Sequence, residues 1–137
     1  MLRLLPFCML LSFYSFSQNT LTVKVTGVTS ADGNISIGLY TDADGFLKTD
    51  KIYKGIFVKS VKGTTKAVFE NLPKDTYAIG VFQDQNANAK LDTNFLGIPK
   101  EPLGFSIGKL KTFGPPSFVE CSFEVASDME ISFPLSD

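Results

Sequence analysis

The chain predicts an all-β fold: a single antiparallel β-sandwich of about seven strands, immunoglobulin-like or transthyretin-like, with one long ordered loop. Three observations carry this reading. Apolar and polar residues alternate with a period of two across 20–28 and 35–40, and 77–82 is apolar on both faces. Turn residues interrupt these runs at short spacing, as at Ala31-Asp32-Gly33-Asn34 and Lys62-Gly63-Thr64. No stretch carries a convincing helical period, and no repeat or low-complexity tract is present.

At 137 residues the chain has room for one domain. Its first residues read as a targeting segment. Arg3 supplies the positive end, 4–16 is an apolar run broken only by Pro6, Ser12 and Ser15, and Ser15-Phe16-Ser17 offers small residues where a signal peptidase reads. Residues 1–17 are therefore expected to be a cleavable signal peptide and 18–137 the β-sandwich domain. The run is too short to span a membrane comfortably, so a secreted or periplasmic protein is expected, with no stable membrane insertion after cleavage. Cys8 leaves with the leader. Cys121 then stands alone in a strand-like run and reads as a small buried hydrophobe.

Taken in order, 20–28 places Leu21, Val23 and Val25 on one face. A turn at Gly33 leads to a second strand with Ile35, Ile37 and Leu39 inward, and the two are expected to pair as a hairpin. Asp42-Ala43-Asp44-Gly45 is a polar turn. The segment 46–55 holds a short helical turn or an irregular loop. Strands at 56–61 and 66–69 flank the turn at Gly63. Pro73 opens a turn into the strand 77–82, whose two faces are both apolar and which should be central. The segments 120–125 and 129–135 read as a final strand pair, with Pro134 tolerable at a strand end or on an edge.

Between them, 84–118 loses all periodicity. A connection this long in a compact domain is functional or disordered. Phe95, Leu96, Ile98, Leu103, Phe105, Phe113 and Phe118 carry too much apolar surface for disorder. It opens with alternating oxygen-bearing residues: Asp84, Asn86, Asn88 and Asp92, with Lys90 able to add a backbone carbonyl. That spacing aims several oxygens at one point, as a hard cation such as calcium requires, and two carboxylates imply weak binding. The same residues also fit an Asx-rich turn that bonds its own backbone and holds no metal.

The run from Asp84 through Phe95-Leu96-Gly97-Ile98-Pro99 to Gly104-Phe105-Ser106, with Phe113-Gly114-Pro115-Pro116-Ser117-Phe118 further on, resembles the bacterial secreted family known as domain of unknown function 2141. The resemblance spans essentially the whole chain after the leader. It implies a small exported β-sandwich with no established activity. The family pattern carries His where this chain has Gln83, and Gly where it has Ala89. A metal or proton role for that His is therefore missing here, and a left-handed turn at Ala89 is less comfortable.

Several function classes are disfavoured by composition. A net charge of -1 gives no nucleic-acid footprint. The absence of His removes Ser-His and Cys-His nucleophile pairs and the imidazole ligand of most zinc sites. Three readings of the loop remain. One is a non-enzymatic binding or structural module with a weak calcium loop at Asp84, Asn86, Asn88, Lys90 and Asp92. The second is a glycosidase-like hydrolase pairing Asp84 or Asp92 with Glu101. The third is a recognition surface for a protein or glycan made by Phe95, Glu101, Phe105, Phe113 and Phe118. No nucleophile motif or cofactor fingerprint supports catalysis, and the chain is read as a non-enzyme.

Overall fold

A computed structural model describes residues 18–107 and 114–136. The leader expected at 1–17 and Phe113 lie outside the described residues. Eight strands and one short helix follow in order: β1 Gln18–Val28, β2 Asn34–Tyr40, β3 Lys54–Lys59, β4 Gly63–Pro73, β5 Asp75–Asp84, β6 Leu103–Phe105, α1 Phe118–Cys121, β7 Phe123–Val125 and β8 Met129–Pro134. They form two sheets. The smaller runs β4-β1-β8. The larger runs β3-β2-β5-β6, with β7 also pairing β5. The expected all-β sandwich is therefore the observed architecture. Most pairs are antiparallel, while β8 runs parallel to β1, with Val23 opposite Ile131.

The alternation places the core. Leu21, Val23 and Val25 of β1 and Phe69 of β4 face Ile35, Ile37, Leu39, Tyr77, Ile79 and Val81 of the larger sheet, and all are buried. Each such aliphatic side chain contributes about 1.5–3 kcal/mol by leaving water. β5 sits centrally between β2 on one side and β6 and β7 on the other, as its doubly apolar pattern implied. Its entry is closed by Tyr77, whose hydroxyl donates to the Pro73 carbonyl at 2.6 Å.

Several pairings differ from expectation. β1 and β2 do not form a hairpin: β1 pairs β4 and β8, whereas β2 pairs β3 and β5. The turn at Gly33 carries the chain across the sandwich instead. The turn at Gly63 does the same, since β4 pairs β1 and not β3. Strands that face each other across a core show the same inward alternation as strands bonded side by side, so the pattern could not separate the two. The final segments also do not pair together. β7 joins β5 with Tyr77 opposite Phe123, and β8 joins β1. Pro134 closes β8 on the edge of the smaller sheet, where its missing N–H costs no central ladder bond. Cys121 is buried as expected, but in the last turn of α1 and not in a strand. Ser117 and Glu120 form a reciprocal capping box that makes so short a helix possible.

Candidate functional site

β5 ends at Asp84, and the chain turns there at once. The Ala87 N–H donates to the Asp84 carbonyl at 3.2 Å. The Asp84 carboxylate, only 1% exposed, then receives the next two donors: Asn88 N–H on Oδ1 at 3.1 Å and Ala89 N–H on Oδ2 at 2.7 Å. These bonds hold Ala87 and Ala89 at φ of 54° and 63°. A left-handed alanine costs about 1–2 kcal/mol. A hydrogen bond to a charged group returns about 1.5–3 kcal/mol. The carboxylate therefore outweighs the backbone strain, and the turn forms without the family's glycine. On the other side, Gly33 adopts φ +62°, and a β-carbon there would fall 1.8 Å from the Asp84 carbonyl oxygen. Only glycine lets the 30–34 turn lie against the root of this loop.

Beyond it the chain makes a narrow arm. Thr93 bridges Pro99, and Lys100 N–H donates to the Asp92 carbonyl at 2.8 Å. Glu101 stands at the base of the arm and ties its two sides together. Its Oε2 accepts Gln85 N–H at 2.7 Å and its Oε1 accepts Asp92 N–H at 2.9 Å. It is 7% exposed.

The remaining candidate ligands converge on Asp92. Asn86 Nδ2 donates to Oδ2 at 2.6 Å and Asn88 Nδ2 donates to Oδ1 at 2.8 Å. These amide bonds, Asn88 first, and the nearby Lys100 charge hold the Asp92 carboxyl below the usual carboxylate range. Lys90 is exposed, and its N–H donates to Asn88 Oδ1 at 3.0 Å. Gln85, Asn86, Asp92, Thr93, Lys100 and Glu101 line an open polar hollow of about 380 Å³. Among the described residues, no group of three or more His, Cys, Asp or Glu side chains gathers around one point. Gln83 is fully buried; its amide reaches the Ser30 and Asp32 carbonyls at 3.1 and 3.0 Å, so it braces turns and does not face the loop.

The aromatics of the long segment divide. Phe105 is buried on β6, and Phe118 meets Phe46 edge-on at 5.9 Å. With Ala78 and Cys121 they form a second small core on the outer face of the larger sheet. Phe95 is the opposite case, at 95% exposure. The expected recognition surface is therefore split: Phe105 and Phe118 pack, Glu101 staples, and Phe95 stands in solvent.

Sequence reasoning missed the larger concavity beside that small core. Gly55 of β3, Gly38 of β2 and Gly80 of β5 lie directly opposite one another in register, followed by Phe105 of β6. The next row along is Phe57, Ser36, Phe82 and Leu103. Directly opposed residues share a face. Three glycines in line lower the outer face: Tyr40 lies over Gly38 and Leu47 over Gly80, while Gly55 stays open beside an aromatic rim. Leu47, Thr49 and Ile52 wall one side, while Leu91, Ile98 and Pro99 of the arm wall the other. The volume of this open cleft is about 1140 Å³. The only hint in the sequence was that Gly38 and Gly80 occupy outward positions of their strands; their alignment depends on register, which no single strand reveals.

Comparisons with known proteins place the chain after this geometry. Neither the comparison with curated proteins nor that with solved structures finds a match. The profile of one bacterial family matches residues 23–132, from the middle of β1 into β8 and so across both sheets, the arm and the groove. The chain belongs to the family described as "Uncharacterized protein conserved in bacteria (DUF2141)".

Proposed function

We propose that this protein is an exported, non-enzymatic binding module that holds an apolar ligand in the glycine-floored groove of its larger sheet. The observation that carries this reading is the groove itself: about 1140 Å³, walled by Ile52, Phe57, Phe82, Leu91 and Ile98 over the glycine row, with Tyr40 and Leu47 lying on Gly38 and Gly80 and Gly55 left open. Ligand sites of proteins are concave, mostly apolar and carry few polar groups, here Ser36, Tyr40, Thr49 and Lys90. Export rests on the leader pattern of residues 1–17. The carboxylates support the non-enzymatic reading over a hydrolase. Both oxygens of Asp84 and both of Glu101 already accept backbone N–H groups, which suits staples better than a general acid and base.

The test is to fill the trough. A β-carbon at Gly55 would meet only Ile52 Cγ2 at 3.6 Å and the Ile37 carbonyl at 3.8 Å, so Gly55→Leu fits without strain on the sheet. Fluorescence titration with anilinonaphthalenesulfonate should show saturable binding by the native protein and a loss of about tenfold or more in the variant, about 1.4 kcal/mol. Equal binding by both would contradict the groove.

A second reading concerns the arm. The convergence of Asn86 and Asn88 on Asp92 supports a weak calcium site at Asn86, Asn88, Asp92 and the Lys90 carbonyl, while the expected ligand Asp84 has both oxygens engaged by backbone N–H groups and holds the turn. Turning each amide end for end would present its oxygen in place of its nitrogen. Calcium would then tighten the wall of the groove, with a Kd of about 0.1–1 mM. Calorimetry with Asp92→Ala as control tests it, since Asp84→Ala would also remove the turn. No heat with the native protein would sink this reading.

A further inference from the structure

Ile98 walls the groove, but the other apolar side chains at the tip of the arm, Phe95 and Leu96, do not line it. Residues 94–98 form a closed turn. Asn94 Oδ1 accepts both Leu96 N–H at 2.9 Å and Ile98 N–H at 3.0 Å. Asn94 N–H donates to the Ile98 carbonyl at 2.9 Å, and Gly97 N–H donates to the Asn94 carbonyl at 3.0 Å. Gly97 takes φ +80°, which the turn needs. Around this frame stand Phe95 at 95% exposure, Leu96 at 69% and Ile98 at 55%. Lys100 follows just behind the bridge that closes the arm, and Lys90 is exposed on the turn before it.

We propose that this tip is a shallow, reversible membrane-surface anchor. In it Phe95 and Leu96 enter the boundary between headgroups and acyl chains, and the two lysines meet anionic headgroups. Three observations favour a lipid surface over a protein partner. First, the side chains are purely hydrocarbon, whereas protein hot spots are enriched in Trp, Tyr and Arg, and the tip has none. Second, Phe95 and Leu96 stand exposed on a narrow bridged turn, a shape that a fluid bilayer accepts without a matching cavity. Third, six backbone groups of the turn, four N–H and two carbonyls, are already bonded within it. Backbone polar groups entering hydrocarbon must bring their partners with them, and Asn94 supplies them here. Asp92 near Lys100 offsets part of the positive charge, so apolar insertion is the main term and headgroup attraction the smaller one. This proposal is independent of whether the groove is filled.

The experiment is sedimentation of the full chain with vesicles of phosphatidylethanolamine and phosphatidylglycerol, native protein against Phe95→Ser/Leu96→Ser. Both proteins carry the same residues 1–17, so any binding by that apolar run is common to the two. The exposure of both positions predicts an unchanged melting temperature, which circular dichroism checks. The native protein is expected to sediment, and the double variant to lose about tenfold or more of its partitioning. Native protein that stays in the supernatant overturns the proposal. So does a folded double variant that binds as well as the native chain. Native protein that ignores vesicles yet self-associates in a Phe95-dependent way would make the tip a protein interface and likewise overturn it.

Discussion

The Asp84 carboxylate accepts the Ala89 N–H at 2.7 Å, and that bond holds an alanine at a φ of 63°. The relation explains how the chain does without glycine at this position. A buried charge takes over the work that an absent β-carbon would otherwise do. It also makes Asp84 the fulcrum of the arm, because the same carboxylate fixes Asn88, and Asn88 in turn reaches Asp92.

Asp84→Ala should therefore cost about 3–6 kcal/mol, the loss of two hydrogen bonds to a buried charge. Urea denaturation measures it. Asp84→Asn keeps one acceptor and should cost less. A cost below about 0.5 kcal/mol for the alanine variant, the range of an ordinary surface change, would mean that the carboxylate does not hold the turn.

Ala89→Gly should raise stability by about 0.5 kcal/mol. Relief of the left-handed strain exceeds the extra entropy that glycine gives the unfolded chain. Thermal melting decides the sign, and a lower melting temperature would show that Ala89 is not strained.

Asp92 should titrate below its ordinary value of 3.8, because Asn88 and Asn86 donate to its charged form. A depressed carboxyl contributes stability above the unfolded value and loses it as pH falls through the folded one. The contribution is thus intact at neutral pH and disappears only below about pH 4. Carboxyl-detected NMR on the native protein and on Asn88→Ala should show the midpoint rising in the variant. Identical midpoints would detach Asn88 from Asp92.

Tyr77→Phe removes a 2.6 Å bond to the Pro73 carbonyl and should cost about 1–2 kcal/mol. Burial, then the neighbouring Tyr53 and Asp75, push the Tyr77 hydroxyl up to about 12. Its neutral form is the one that the fold favours. The Tyr77 contribution should therefore be flat below pH 10 and fall between pH 10 and 12, as unfolded chains ionise first. In Tyr77→Phe that alkaline slope should shrink, and an unchanged slope would assign it to other groups.

Faces were legible in the sequence where partners were not. Leu21, Val23 and Val25, or Tyr77, Ile79 and Val81, announce an inward side by their period of two. That period says nothing about whether β1 bonds β2 or faces it across the core, and here it faces it. α1 was too short for a helical period to register, although Ser117 and Glu120 stood at capping-box spacing. At the site, the alternation of Asp84, Asn86, Asn88 and Asp92 correctly marked a tight loop. The hydrogen bonds from Gln85 and Asp92 to Glu101 were hidden, because they join residues 16 and 9 apart through an arm without periodicity. The groove was hidden for a different reason. Gly38, Gly55 and Gly80 become one trough only through the register of three strands.

The central claim is that the glycine row is a ligand floor, and amide NMR tests it most directly. On titration with anilinonaphthalenesulfonate, the account predicts saturable shifts concentrated at Gly38, Gly55 and Gly80, with Leu91 and Ile98 of the facing wall. Shifts confined to the smaller sheet, or none at any of the three glycines, would contradict it.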